Sequence, residues 1–88
     1  MNLTPETLRP GRCFSNGAYG RAWGVRMVLE CTVSPENGSC VVRYKGVAGA
    51  CRRKSGECSL EEFRHWARYE VQLNENSWLR VSEPDSAQ

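Results

Sequence analysis

The sequence predicts an α+β fold: a curved antiparallel sheet of about five strands with one short helix set in before the last of them. Three observations carry this. Residues 21–33, RAWGVRMVLECTV, alternate apolar and mixed positions with a period of two, the pattern of a long strand with one buried face. Asn37-Gly38 separates that run from a second alternating run, CVVRYKG, and this dipeptide accepts the positive φ of a hairpin turn. Within SGECSLEEFRHWARYE, Ser59 stands three positions before Glu62, a capping box that starts a helix.

The elements follow in chain order. RCFSNGAYG, residues 12–20, predicts a short strand and a turn at Asn16-Gly17. In the long strand Trp23, Val25, Met27, Leu29, Cys31 and Val33 share the apolar face. Cys40, Val42 and Tyr44 do so in its partner. Residues 47–56, VAGACRRKSG, predict a third strand weakened by Gly49, with Gly46 and Gly49 marking a bend or bulge. The helix is expected over about 60–69, with Glu61 and Glu62 at its positive end. Leu60, Phe63, Trp66, Ala67 and Val71 fall on one side of it, and Glu61, Arg64, His65 and Arg68 on the other. YEVQL and SWLRV, flanking the turn-like NEN, close the sheet. The predicted core is Trp23, Val25, Met27, Leu29, Val42, Tyr44, Leu60, Phe63 and Trp66.

Eighty-eight residues bury one core. The organisation read here is a flexible N-terminal arm over 1–9, a single small domain over 10–82 and a disordered polar tail over 83–88. The formal net charge of +2 is too small to imply a nucleic-acid partner by itself. No apolar run approaches the ~20 residues that span a bilayer. The N-terminus has no apolar segment of the secretory kind, so a cytoplasmic protein without a membrane partner is expected. Five cysteines in such a chain are expected as reduced, mostly buried small hydrophobes.

Chemistry-bearing patterns are sparse. No two cysteines stand in a CxxC pair, so the close ligand spacing of a zinc knuckle is missing. Cys58 and His65 are separated by about 10 Å of helical rise, too far to share one ion. His65 lies on the polar face near Glu61, the place of a solvated side chain. KGVAGACRRKS is no phosphate loop, because Arg53 stands where GxxxxGK[ST] requires glycine before the lysine. No catalytic residue, metal site or cofactor is therefore assigned, and a redox or metal-binding role ranks last. The notable surface is basic: Arg43, Lys45, Arg52, Arg53 and Lys54 on the second hairpin strand and its successor, and Arg64, His65 and Arg68 on the helix. If these faces meet they form one positive patch able to hold phosphates. On separate exposed faces the same charges serve solubility and discourage edge pairing. Tyr19 and Tyr69 are the candidate stacking aromatics.

PGRCFSNGAYGRAWGVRMV, VVRYKGVAG and SGECSLEEFRHWA, taken in order, resemble small uncharacterised bacterial proteins carried on phages and integrative elements. Those share a Pro-Gly start, a YG-x-x-W-x-V-R strand, a tyrosine strand and an F-x-x-W-A helix. The resemblance covers about residues 10–67 and carries no activity over. The layout of short, bent strands is similar to an SH3-like barrel, an analogy of fold that does not dictate function. The function expected from these readings is a non-enzymatic binding module that docks a host or mobile-element protein as accessory factor, inhibitor or regulator. The alternative is a nucleic-acid-binding module that uses the basic surface.

Overall fold

The computed structural model describes residues 3–81. The tail expected over 83–88, and the first two residues of the expected arm, lie outside the described residues. The elements are β1 (Cys13–Ser15), a 3₁₀ turn (Gly20–Ala22), β2 (Gly24–Val33), β3 (Cys40–Gly49), β4 (Ser55–Ser59), α1 (Leu60–Trp66), β5 (Tyr69–Asn74) and β6 (Ser77–Arg80). All six strands join one antiparallel sheet in the order β4-β3-β2-β1-β5-β6, which is open, with β4 and β6 at its edges.

The sheet thus has six strands where about five were expected, and the third strand read over 47–56 does not exist as one piece. Residues 47–49 finish β3, residues 50–54 turn, and β4 starts at Ser55. Two local features force the turn. Gly49 takes φ +61, where a side chain is strained, and Arg53 takes φ +67. Gly46 lets the Cys51 backbone lie directly over the strand: a Cβ on Gly46 would land on the Cys51 carbonyl.

The β2–β3 hairpin forms as the alternation predicts, but two bulges change which face each side chain takes. The register shifts between Val25 and Arg26, leaving Val47 as the extra residue, and between Val28 and Glu30, leaving Leu29 as the extra one. Val28 and Cys31 consequently share the helix-side face, while Trp23 and Val25 pack on the opposite face. The single apolar face read from Trp23 to Val33 is therefore split between the two sides of the sheet. In the hairpin loop only Gly38 takes positive φ, at +73. Asn37 stays out of that region, and its Oδ1 accepts the Ser39 N–H at 3.0 Å.

Helix α1 starts as expected. The Ser59 Oγ accepts the Glu62 N–H and the Glu62 carboxylate accepts the Ser59 N–H, both at 3.1 Å. It stops at Trp66, short of residue 69, because the Arg68 N–H donates to the Ser15 carbonyl at 2.8 Å and Tyr69 enters β5 beside β1. On the helix side Phe63 is fully buried, with the Phe14 ring edge-on at 5.6 Å and Trp66 and Tyr44 at 5.9 and 6.4 Å. Val28, Val42 and Ala67 complete this core.

Leu3 and Leu8 belong to it as well, 2% and 1% exposed. Residues 3–8, read from sequence as part of a flexible arm, are packed. A Thr4–Thr7 turn brings the two leucines to one side, and the Arg64 Nε donates to the Leu3 carbonyl at 2.7 Å. Of the predicted core, Val25, Val42 and Phe63 are fully buried. Trp23, Met27, Leu29, Tyr44, Leu60 and Trp66 are half-buried. The second, smaller core lies on the face away from the helix: Val25, Ala48 and Val71, flanked by Cys13, Trp23, Val47, Tyr69 and Trp78. Val71, assigned from sequence to the helix stripe, is a β5 residue of this second face.

Candidate functional site

The basic residues singled out in the sequence do not meet as one patch. Val42 and Tyr44 face the helix, so Arg43 and Lys45, each one position out of phase, project from the other side of the sheet. The Arg43 guanidinium bonds the Glu30 carboxylate at 3.1 Å, and Glu57 is its β4 neighbour, so its charge is balanced locally. Arg52, Arg53 and Lys54 are exposed in the β3–β4 turn. Arg64 is tied to the Leu3 carbonyl. His65 and Arg68 are exposed on and just after α1, away from Arg43. Tyr19 is 92% exposed, and the Arg80 guanidinium stands 4.8 Å over the Tyr69 ring.

Part of the basic set does converge with a residue that the sequence reading left out. Arg26 lies with its guanidinium carbon 4.2 Å from the centroids of both the Tyr44 and Trp66 rings, a cation held between two aromatic faces. Its neighbours Arg53 and Lys54 line one recess with Tyr44, Cys51 and Ser55, and among the described residues no carboxylate lines that recess. The signal was the strand alternation itself: once β2 is bulged, Arg26 must point at the helix, where only an aromatic pair can receive it.

An apolar concavity lies on the second face of the sheet. It measures about 550 Å³ and is walled by Met27, Val47, Val71, Leu73, Trp78 and Val81, with Cys13 on its floor. Its polar members are Gln72 and the Arg12–Glu70 pair, a fork of two bonds at 2.8 and 3.1 Å. Leu73 and Trp78 are cross-strand partners, and Leu73 is 55% exposed. The Cys13 thiol there is pushed up, first by burial and then by the Glu70 charge. A volume of this size lies within the range that holds a small ligand or one bulky partner side chain.

Cys58 packs at the edge of the helix-side core, where burial raises its thiol, Arg26 opposes and Glu62 adds to the rise. His65 points outward on α1. Among the described residues no group of three or more His, Cys, Asp or Glu is placed to hold a metal ion. No helix among the described residues is long and apolar enough to cross a membrane. Compared with known proteins, the chain matches no family profile, no curated protein and no solved structure.

Proposed function

We propose that this domain is a non-enzymatic binding module that receives a bulky apolar side chain of a partner protein on the second face of its sheet. The observation that carries this reading is the apolar concavity of about 550 Å³ around Met27, Val71, Leu73 and Trp78. Leu73 is half-exposed there, and nothing among the described residues covers it. Exposed apolar surface gathered into one concavity, with a charged pair among its walls, is the usual form of a protein contact. The unpaired edge of β6 beside it offers backbone donors and acceptors to an extended segment. We read the partner as a host or mobile-element protein in the cytoplasm, and the module as its accessory factor, inhibitor or regulator. We read the short, bulged strands with one helix before β5 as an opened SH3-like layout.

One observation favours a second reading. Arg26, Arg53 and Lys54 around the recess beside Tyr44 would suit a nucleic-acid phosphate. The two readings separate on two variants of the full chain, each checked for folding by circular dichroism. Leu73→Asp charges the concavity, and the Arg52/Arg53/Lys54→Ala triple variant strips the turn. Protein docking predicts a stoichiometric partner that survives nuclease treatment of the lysate, is lost at least about tenfold with Leu73→Asp and is kept by the triple variant. Retention that vanishes with nuclease or moderate salt, and with the triple variant only, would replace this reading with the nucleic-acid one.

A further inference from the structure

The β2–β3 hairpin carries two thiols that no binding surface uses. Cys31 pairs with Val42 and Cys40 with Val33, so the two cysteines are diagonal neighbours on one face, at the end of the hairpin. Their sulfurs are 2.8 Å apart, and both residues are half-buried, open to a small reagent. A disulfide bond is about 2.05 Å long, so the pair needs less than an ångström of approach and no change of strand register to close. The other three cysteines have no such neighbour: each of Cys13, Cys51 and Cys58 is free and lies in a different strand or turn.

We propose that Cys31 and Cys40 form a reversible disulfide site whose co-substrate is a low-molecular-weight disulfide such as glutathione disulfide. The order of events follows from the surroundings of the two thiols. Burial, then the hydrogen bond to Cys40, then the charges of Cys40 and Glu6 push the Cys31 thiol up to about 12. Cys31 therefore keeps its proton, so the attack on the small disulfide is assigned to its neighbour, the Cys40 sulfur 2.8 Å away. The Cys40 thiolate attacks one sulfur of the small disulfide. A mixed disulfide forms, the small S–S bond breaks, and one thiolate leaves and takes up a proton. Cys31 then loses its proton to solvent and attacks the Cys40 sulfur of the mixed disulfide. The intramolecular S–S bond forms and the second small thiol departs. Two electrons pass from the cysteine pair to the small disulfide, which becomes two thiols. The product locks the end of the hairpin next to the Leu3–Leu8 segment of the helix-side core.

The test uses the full chain, fully reduced, freed of reductant and exposed to glutathione disulfide before alkylation. Both cysteines fall in one tryptic peptide, Met27–Arg43, and Glu36 lies between them. The expected product is that peptide without alkyl groups and lighter by two hydrogens, whose halves stay joined after cleavage at Glu36. It should appear at least about tenfold faster than any disulfide of Cys13, Cys51 or Cys58, because only this pair is held in contact. In Cys31→Ser a glutathione adduct should persist on Cys40, with nothing to resolve it. The proposal is overturned if Met27–Arg43 stays doubly alkylated or doubly glutathionylated, or if Cys31 and Cys40 crosslink no faster than the other cysteines.

Discussion

Replacing Gly46 by alanine should unfold this domain more readily than any conformational argument about glycine would suggest. Gly46 is not in the left-handed region, so its φ alone gives no reason to exclude a side chain. The obstacle is another backbone. A Cβ there lands on the Cys51 carbonyl oxygen and comes within 2.5 Å of its carbon and 2.9 Å of the Cys51 Cβ. The first two are main-chain atoms, so no rotamer relieves the overlap, and the 50–54 turn must retreat by more than an ångström. That retreat breaks the bond from the Gly46 N–H to the Lys54 carbonyl, loosens the one from the Lys54 N–H to the Cys51 carbonyl, and opens the 8%-exposed Cys51 to water. Two hydrogen bonds at about 1 kcal/mol each, and a small buried side chain at about the same, give about 3 kcal/mol. With a urea slope of about 1.5 kcal/mol per molar, the unfolding midpoint should fall by about 2 M, read by tryptophan fluorescence. Gly38→Ala is the control. Gly38 has φ +73 and nothing within 4 Å of its would-be Cβ, so it isolates backbone strain at about 1 kcal/mol. A Gly46→Ala midpoint no lower than that of Gly38→Ala would refute the close-approach argument.

Two further outcomes are expected. Glu75 and Asn76 join β5 to β6 with φ of +50 and +70, a two-residue turn that holds two side chains in the left-handed region. The double change Glu75→Asn, Asn76→Gly should raise stability by about 1 kcal/mol in the same urea titration. The second concerns alkaline pH under reducing conditions. The Cys31 thiol is raised from 9.0 to about 12 in the folded chain, so above pH 9 the folded state holds a proton that the unfolded state releases. Its contribution is complete below pH 9 and is lost as pH rises toward 12. Cys31→Ser should therefore show a shallower fall in thermal midpoint across that window than the parent, and equal slopes would contradict the assignment.

What could be read from the sequence was whatever depends on neighbours in the chain. The Ser59–Glu62 capping box, the Asn37-Gly38 loop and the alternation of β2 and β3 are local signals, and each produced its element. The bulge at Leu29 was not legible, because Met27, Val28 and Leu29 are all apolar and an inserted residue leaves no gap in such a run, whereas Gly46 and Gly49 flank the one at Val47. One shifted residue then reassigned Cys31 to the helix side and brought Arg26 beneath Trp66. The length of α1 was misjudged because its end is set by the Ser15 carbonyl, more than fifty positions away in sequence. The burial of Leu3 and Leu8 rests on the local Thr4–Thr7 turn between them, but the surface they cover belongs to α1 and the sheet. Whether the basic residues meet as one patch turns on the same register as the single apolar face. Which side of the sheet Arg43 takes depends on register, and the register places it opposite the helix.

The concavity on the second face exists only through strand order. β5 enters beside β1, which sets Val71 across from Cys13 and lets Arg12 reach Glu70 over 58 positions of sequence. β6 then folds back to place Trp78 across from Leu73. Each of these strands alone shows one or two apolar side chains, too few to announce a surface. The fold also explains why no other described element covers that surface. A sheet has two faces, and the single seven-residue helix of the described chain, with the Leu3–Leu8 segment, is spent on one of them. The other face is partly closed by its own curvature, enough to bury Val25 and Val71 but not Leu73. Each apolar side chain left half in water forgoes about 1 kcal/mol of burial. A small domain that keeps several such side chains together in one concave place has that free energy available for an occupant, which favours the proposed docking surface there over one on the charged edges.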